Sequence, residues 1–516
     1  MSSNTKRAAE FAAMIAGITL FSKFLGFVRE ILIASKFGSG VETDTYFVAM
    51  TATVIVMTTI GAALKTTLIP IFSEIEEIKG KEHKLKYMNN IFNVIFVITI
   101  ILVVLGYFLS PVVVKILAKG FSGKQYEAAI KLNRIGLPII IFMGFSYVFS
   151  GFLESSERFG PPAISGIPFN LIYILYLLIL GNKYGIVGLM VASVVAAAGQ
   201  WLIQVPAARR LGFSHAMEFD LKDKYLQKAL VLIAPVVIGS AVQQINVIID
   251  RTLASSLREG SISALNYASR VNDMIISVFV MAITTVIFPM LSKAFNKEDM
   301  KKGKELMSEG INMILIITVP ATIGIVILAP PVIKIFFQRG AFDETATLMT
   351  SQALIFYSLG LVGSSLRLML NKVFYSIQDT TTPMKNGIIA VGINIGLNYI
   401  LVRYMAHSGL ALATSISATI TTLFLFLDLR KRLGKIGLKK YLICFFKTLL
   451  ASAIMGLGVY AVYFGLTSLL PSKSIIELLI LILSIIVGMT IYFILCCSLK
   501  VEEMRTLMKR LARMRK

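Results

Sequence analysis

Long apolar runs follow one another along nearly the whole chain, separated by short polar stretches. Each run approaches or exceeds the roughly 18–20 residues that a helix needs to cross a hydrocarbon core of about 30 Å. The pattern predicts fourteen transmembrane helices, at about 8–36, 43–74, 86–109, 126–153, 161–182, 184–208, 226–256, 261–293, 304–329, 344–378, 382–405, 407–429, 441–466 and 474–498. "SPVVVKILAKGF", residues 110–121, is a candidate for an additional interfacial helix. The expected fold class is an all-α polytopic membrane protein, because a spanning segment must satisfy its own backbone hydrogen bonds.

The helices also repeat. Arg29, Gly38, Ser39 and Asp44 recur 222 residues on as Arg251, Gly260, Ser261 and Asn266, and Phe152, Glu157 and Pro161 recur as Phe374, Asp379 and Pro383. With a one-residue slip, "GLMVAS" at 188–193 faces "GLALAT" at 409–414. A duplicated unit of six helices inserts both copies in the same orientation, giving two parallel lobes around a central cavity, an arrangement suited to alternating access. The predicted domains are an N-terminal six-helix lobe (1–215), a C-terminal six-helix lobe (216–435), helices 13 and 14 outside the repeat (436–498) and a basic tail (499–516).

Composition supports the membrane reading. Hydrophobic residues make up 56% of the 516 positions and charged ones 15%, with a mean hydropathy of +0.79. No stretch remains for a sizeable soluble domain. The net charge of +23 would suggest nucleic acid in a soluble protein. Here the basic residues gather in "KGKEHKLK", "ARRLG", "KAFNKEDMKKGK", "RKRLGKIGLKK" and "RTLMKRLARMRK". Counted from a cytoplasmic N-terminus, all of these fall on the inner side, so the charge reports topology, with both termini cytoplasmic. No aromatic-basic platform accompanies them, and a nucleic-acid role is not expected. The first apolar run passes through Lys23 to about residue 36 without a cleavage site, and reads as a retained helix rather than a signal peptide. Cys444, Cys496 and Cys497 have neither ligand spacing nor a paired framework.

Candidate chemistry lies in the ionisable residues inside spans: Lys23, Arg29, Glu30, Asp44, Lys65, Asp250, Arg251, Arg270 and Asp273. A charge at bilayer depth costs about 2.5–3.5 kcal/mol, so such residues face a wet interior or a partner. Arg29 snorkelling to the interface, and Arg270 with Asp273 as an intrahelical pair, are the structural alternatives. The basic set in helices 1, 2 and 8 suits an anionic ligand, most naturally phosphate or pyrophosphate. Six residues on an ideal helix place Lys23 and Arg29 about 120° apart, and Gly26 between them either bends the helix or lets a neighbour pack closely. A second group, Asp250, Asn394, Asn398 and Thr414, offers carboxylate, amide and hydroxyl oxygens that suit a small hard cation or join helices together. No phosphate loop, HExxH motif or Cys/His cluster is present, and the three His residues (His83, His215, His407) lie in or near loops, so an enzyme is not expected.

"FSKFLGFVREILIASKFGSGVETDTYFVAM", "TLIPIFSE", "NYASRVND" and "FYSIQDTTTP" resemble the MurJ/MviN family of the multidrug/oligosaccharidyl-lipid/polysaccharide exporter superfamily. The resemblance spans essentially the whole chain. It implies a lipid II flippase of the bacterial cytoplasmic membrane, moving the undecaprenyl-pyrophosphate-linked peptidoglycan precursor from the inner to the outer leaflet. It further implies substrate contacts at Lys23, Arg29, Glu30, Asp44 and Arg270; Lys65, which stands about two turns beyond the missing helix 2 arginine, and Asp273, an acid in the same span as Arg270, are candidates beside them. A sodium site at Asp250, Asn394, Asn398, Thr414 and the Leu410 carbonyl is implied too, with a lipid-tail groove on helices 13 and 14. Expected partners are lipid II (pyrophosphate, sugar-peptide and polyprenyl tail), membrane lipids and cell-wall synthesis proteins; no cofactor is expected beyond Na⁺ as coupling ion. Two positions depart from the family pattern: "ATVIVMTTIG" stands where many members carry an arginine in helix 2, and Ser269 where an acid often precedes the helix 8 arginine. A flippase for another polyprenyl-linked saccharide and a multidrug or cation exporter are the alternatives. Na⁺, H⁺ and membrane potential remain open as drivers.

Overall fold

The computed structural model describes residues 3–470 and 474–501. Most of the tail expected at 499–516 lies outside these. The described secondary structure is helical. α1 is Ser3–Phe37, and Val41–Leu117 carries α2 and α3, divided at Gly80 (φ 84°, ψ 174°). α4 combines Gly123–Gly136 and Ile139–Ser155. Gly160–Arg210 carries α5 and α6, divided at Gly185. Then follow α7 (Lys224–Ser255), α8 (Ser261–Asn296) and α9 (Met300–Phe337). α10 is the pair Glu344–Leu359 and Leu361–Ser376, bent by 46°. Thr381–Leu433 carries α11 and α12, divided at Ala406, and α13 (Leu438–Leu469) and α14 (Ser474–Ser498) complete the series.

By length and apolarity alone, eight helical stretches among the described residues could cross a membrane, or nine if the α10 pair is one span. Three of the eight are double, broken at Gly80, Gly185 and Ala406; with these divisions and with α1 and α7, the helices are consistent with the expected fourteen. Residues 110–117 continue α3 through Pro111 instead of forming a separate interfacial helix. A proline there removes one intrahelical donor without stopping the helix, since membrane helices tolerate it.

The repeat is visible in the backbone. Left-handed residues occur at Gly38 and Gly260 and at Gly212 and Gly434, both pairs 222 apart, and at Glu157 and Gln378 and at Gly185 and Ala406, both 221 apart. The turns after α4 and α10 also match: the Arg158 amide donates to the Leu153 carbonyl at 2.8 Å, and the Asp379 amide to the Phe374 carbonyl at 3.0 Å. Helix ends of this kind satisfy the orphan carbonyls of the last turn. Asp379 then turns toward α11, accepting from the Thr382 amide (2.9 Å) and hydroxyl (2.7 Å) and pairing with Arg432. Burial alone would raise its carboxyl, but these donors and the guanidinium hold it below the usual carboxylate range.

The chain forms two compact units, residues 1–263 with 339–342, and 264–338 with 343–516. In the first, Tyr87 and Phe152 meet Phe72 edge-on in a core that also holds Leu64, Leu68, Phe149 and Leu153. Small residues allow this approach: a Cβ on Gly151 would lie 3.2 Å from Leu68. α7, which the repeat assigns to the second lobe, is bonded at both ends within the first unit. Asp223 caps it through the Tyr225 and Leu226 amides, Lys228 pairs with Glu74, and Thr252 donates to the Ile116 carbonyl at 2.6 Å. In the second unit α13 and α14 pack on each other and on α9, where Tyr492 donates to the Ile316 carbonyl (2.8 Å) and Lys334 pairs with Glu477 (2.7 Å).

Gly185 (φ 54°, ψ −149°) and Ala406 (φ 48°, ψ −132°) share a conformation that only glycine adopts without strain. A side chain there costs about 1–3 kcal/mol. Ala406→Gly is therefore expected to raise the thermal unfolding midpoint of the purified protein, by the equivalent of about 1 kcal/mol after the added entropy of the unfolded chain. Gly185→Ala should lower it; no shift from either substitution would contradict the assignment of strain.

Candidate functional site

The most committed charge in the first unit is Arg29. α1 runs helically through Gly26, which presents hydrogen instead of a side chain to α5; a Cβ there would sit 3.6 Å from the Asn170 side-chain oxygen. Asn170 donates its two amide protons to the carbonyls of Ser22 (3.0 Å) and Gly166 (2.9 Å), so its oxygen is turned to accept from Arg29 Nη1 at 3.1 Å. Arg29 Nη2 meets Glu30 Oε1 at 2.7 Å, and the rings of Tyr173 and Phe169 lie 5.0 and 5.6 Å from the guanidinium carbon. Tyr173 is held in turn by the Tyr46 hydroxyl at 3.4 Å, which also meets Ser193 at 3.1 Å. Burial of the guanidinium is offset by one carboxylate, one amide oxygen and two π faces. Its Nε is buried without a hydrogen-bond partner, while the side chain keeps 16% of its surface open. The cradle can hold a cation at depth and still offer an edge to an anion.

The other expected residues have varied surroundings. Lys23 is exposed on α1 while Arg29 packs against α5, in keeping with different faces of one helix and with Gly26 as a packing position. Glu30 is buried beside Arg29. Lys65 pairs with Glu154 of α4 at 2.7 Å and is 37% exposed. Asp44 is buried and accepts from the Gly260 amide (2.7 Å), the Ser263 amide (2.7 Å) and the Ser263 hydroxyl (2.5 Å). This is the work of a cap: the donors are those orphaned where α8 begins. Arg251, the repeat partner of Arg29, donates to the Ile262 carbonyl at 3.4 Å. Arg270 and Asp273 are exposed on α8 in the second unit.

Four of the five residues implied for sodium come together in the second unit. Asn398 donates to Asn394 Oδ1 at 2.7 Å, Asn394 to Thr414 Oγ1 at 3.3 Å, and Thr414 to the Leu410 carbonyl at 3.1 Å. Asn394, Asn398 and Leu410 are buried. Their oxygens are neutral, hard donors of the type that suits Na⁺. Asp250 belongs to the first unit, where Asn246 donates to it at 3.4 Å. Among the described residues no three His, Cys, Asp or Glu side chains are gathered to hold a metal.

Sequence reasoning missed Asn170, Phe169 and Tyr173, although one Asn in the apolar run "PFNLIYILYLL" was a usable signal. It also missed Glu154, the partner of Lys65, and Arg367, a half-buried cation in α10.

Comparison with solved proteins defines the class first. The fold is that of a polytopic transporter: an inward-facing MATE-family multidrug transporter of the MOP superfamily superposes with a TM-score of 0.69 over 82% of this chain and 98% of its own, at 17% identity. A structure titled "Lipid II flippase MurJ, inward closed conformation" superposes with a TM-score of 0.80 over 96% of this chain and all of its own, at 27% identity. The family model for lipid II flippase MurJ matches residues 33–496, and the chain belongs to that family. A probable lipid II flippase MurJ of Rickettsia prowazekii (strain Madrid E) is 28% identical over 95% of this chain and 97% of its own. The lipid II flippase MurJ of Burkholderia cenocepacia is 28% identical over 81% and 83% respectively.

If Asp44 is a cap, removing its carboxylate strands buried donors. Asp44→Ala is expected to destabilise the protein by at least about 2 kcal/mol, whereas Glu42→Ala, at an exposed position, should change stability by less than about 0.5 kcal/mol. Thermal unfolding in detergent checks both, and equal effects would contradict the cap.

Proposed function

We propose that the protein flips lipid II from the inner to the outer leaflet of the bacterial cytoplasmic membrane by alternating access of its two lobes, with both termini in the cytoplasm. Membership of the MurJ family supplies the substrate class. The observation in this chain that supports anion handling is Arg29, a guanidinium kept charged inside an apolar helix with one buried nitrogen uncommitted. In this reading the pyrophosphate competes with Glu30 for Arg29, and Arg270, exposed on α8, supplies a second forked donor. The sugar-peptide travels in the wet interior while the polyprenyl tail stays in lipid along α13 and α14. No catalytic step is required; the work is differential binding of one ligand by two conformations.

Arg29→Ala and Arg270→Ala are each expected to fail to support growth of a flippase-depleted strain while reaching wild-type levels in the membrane. Normal growth of both would overturn the assignment. Na⁺ is proposed as the coupling ion, taken by Asn394, Asn398, Thr414 and the Leu410 carbonyl with Asp250. A ligand bound only to the folded state stabilises by about 2.7 kcal/mol at a hundred times its Kd. Saturating Na⁺ should therefore raise the melting temperature above that in K⁺, and Asn394→Ala should abolish the rise; equal melting temperatures in the two salts for the parent protein would remove sodium from the account.

A further inference from the structure

A cavity of about 360 Å³ opens where the α2–α3 turn, the α4–α5 turn and the segment after α6 meet in the first unit. Its size falls in the roughly 300–1,000 Å³ range of ligand sites. Lys81, Lys84, Arg158, Glu76, Glu157 and Ser156 supply its polar lining, with Phe152 and Leu211 among its apolar wall. Lys84 is only 2% exposed. Its ammonium is fixed by Glu76 at 2.5 Å and by the Ser156 hydroxyl at 2.7 Å, over the Phe152 ring. Those two bonds use two of its three protons.

The neighbouring cations are not used in this way. Among the described residues the side chains of Lys81 and Arg158 make no ion pair or hydrogen bond, and both are exposed at the cavity. Glu76 is spent on Lys84, so Lys81 and Arg158 face the single carboxylate of Glu157. The backbone builds this arrangement through left-handed residues at Gly80 (φ 84°) and Glu157 (φ 60°), which directly precede Lys81 and Arg158. Ile78 and Phe159, on the same two turns, are exposed apolar side chains. The site lies at the lysine-rich end of the lobe, the end that the charge rule places at the inner leaflet.

We infer that this cavity binds a phosphate group: Arg158 supplies a forked donor, Lys81 a point charge, and Lys84 a preset ammonium at the back. The apolar side chains beside it and the anionic character of the inner leaflet favour the headgroup phosphate of an anionic phospholipid as the source. This inference is independent of the flippase reading, since none of the residues lining the cavity belongs to the Arg29 cradle.

The full-length protein is placed in phosphatidylcholine nanodiscs with and without phosphatidylglycerol, and its thermal midpoint is compared with that of Lys81→Gln/Arg158→Gln. A second double variant, Lys297→Gln/Lys301→Gln, removes the same charge from exposed positions elsewhere. Phosphatidylglycerol is expected to stabilise the parent and the second variant alike. In the first variant its apparent affinity should fall about 25-fold, at about fivefold per removed charge. Glycerol 3-phosphate added to phosphatidylcholine nanodiscs separates the sources: stabilisation there, lost in the first variant, would assign the same site to a soluble phosphate. Equal responses of the parent and the first variant to both ligands, or an equal loss in the two double variants, would overturn the inference.

Discussion

In hydrocarbon a polar group without a partner costs several kcal/mol, and the helical backbone and most of the buried charges of this chain answer that constraint. The backbone answers it with helices, and the chain changes direction at residues with positive φ, four pairs of which recur 221 or 222 residues apart. Side chains answer it by pairing. Arg29 takes Glu30 and the Asn170 oxygen, Lys65 takes Glu154, and Lys84 takes Glu76 and Ser156. Asp44 is stabilised by two amides and a hydroxyl, with the Arg251 guanidinium close enough to act on its charge.

This pairing decides what a transported anion can use. In the proposed reading, a guanidinium already bonded to a carboxylate is a switchable site rather than a fixed trap: a ligand at Arg29 would have to displace Glu30 or bind the remaining edge, which would moderate its affinity. A flippase needs that moderation, because a pyrophosphate held too tightly in one conformation would not be released in the other. The aromatic faces of Phe169 and Tyr173 lie against the guanidinium and would go on stabilising its charge if the carboxylate partner were displaced.

The fold was largely legible in sequence because apolar runs of membrane length can form little but helices, and the duplication was legible because residues recur at an offset of 222, among them Gly38 and Gly260 at positions of positive φ. The continuation of α3 through 110–117 was not legible, since Pro111 reads as a stop in water and not in a membrane. At the site, sequence identified the expensive charges but not their partners. Glu154 lies near a helix end where acids are ordinary, and Asn170 is a single amide in an apolar run; only the packing of α1 on α5 reveals what it does. Asp44 shows the converse. Its position inside a span marked it as a candidate charge, and the family resemblance as a substrate contact; its three donors add a capping role that depends on residues more than two hundred positions away. The Asn394–Asn398 pair was visible from helical spacing, because an i, i+4 pair lies on one face whatever surrounds it, whereas Thr414, beyond the break at Ala406, was joined to it as an oxygen donor and by the family resemblance.

The account is tested most directly by reconstituting the purified protein in liposomes with lipid II in one leaflet and following its appearance in the other. The account predicts transfer that is faster than in protein-free vesicles, is selective for lipid II over a polyprenyl-phosphate sugar lacking the pyrophosphate, and is lost in Arg29→Ala protein that remains folded. Undiminished transfer by the Arg29→Ala protein, or no transfer by the parent, would contradict it.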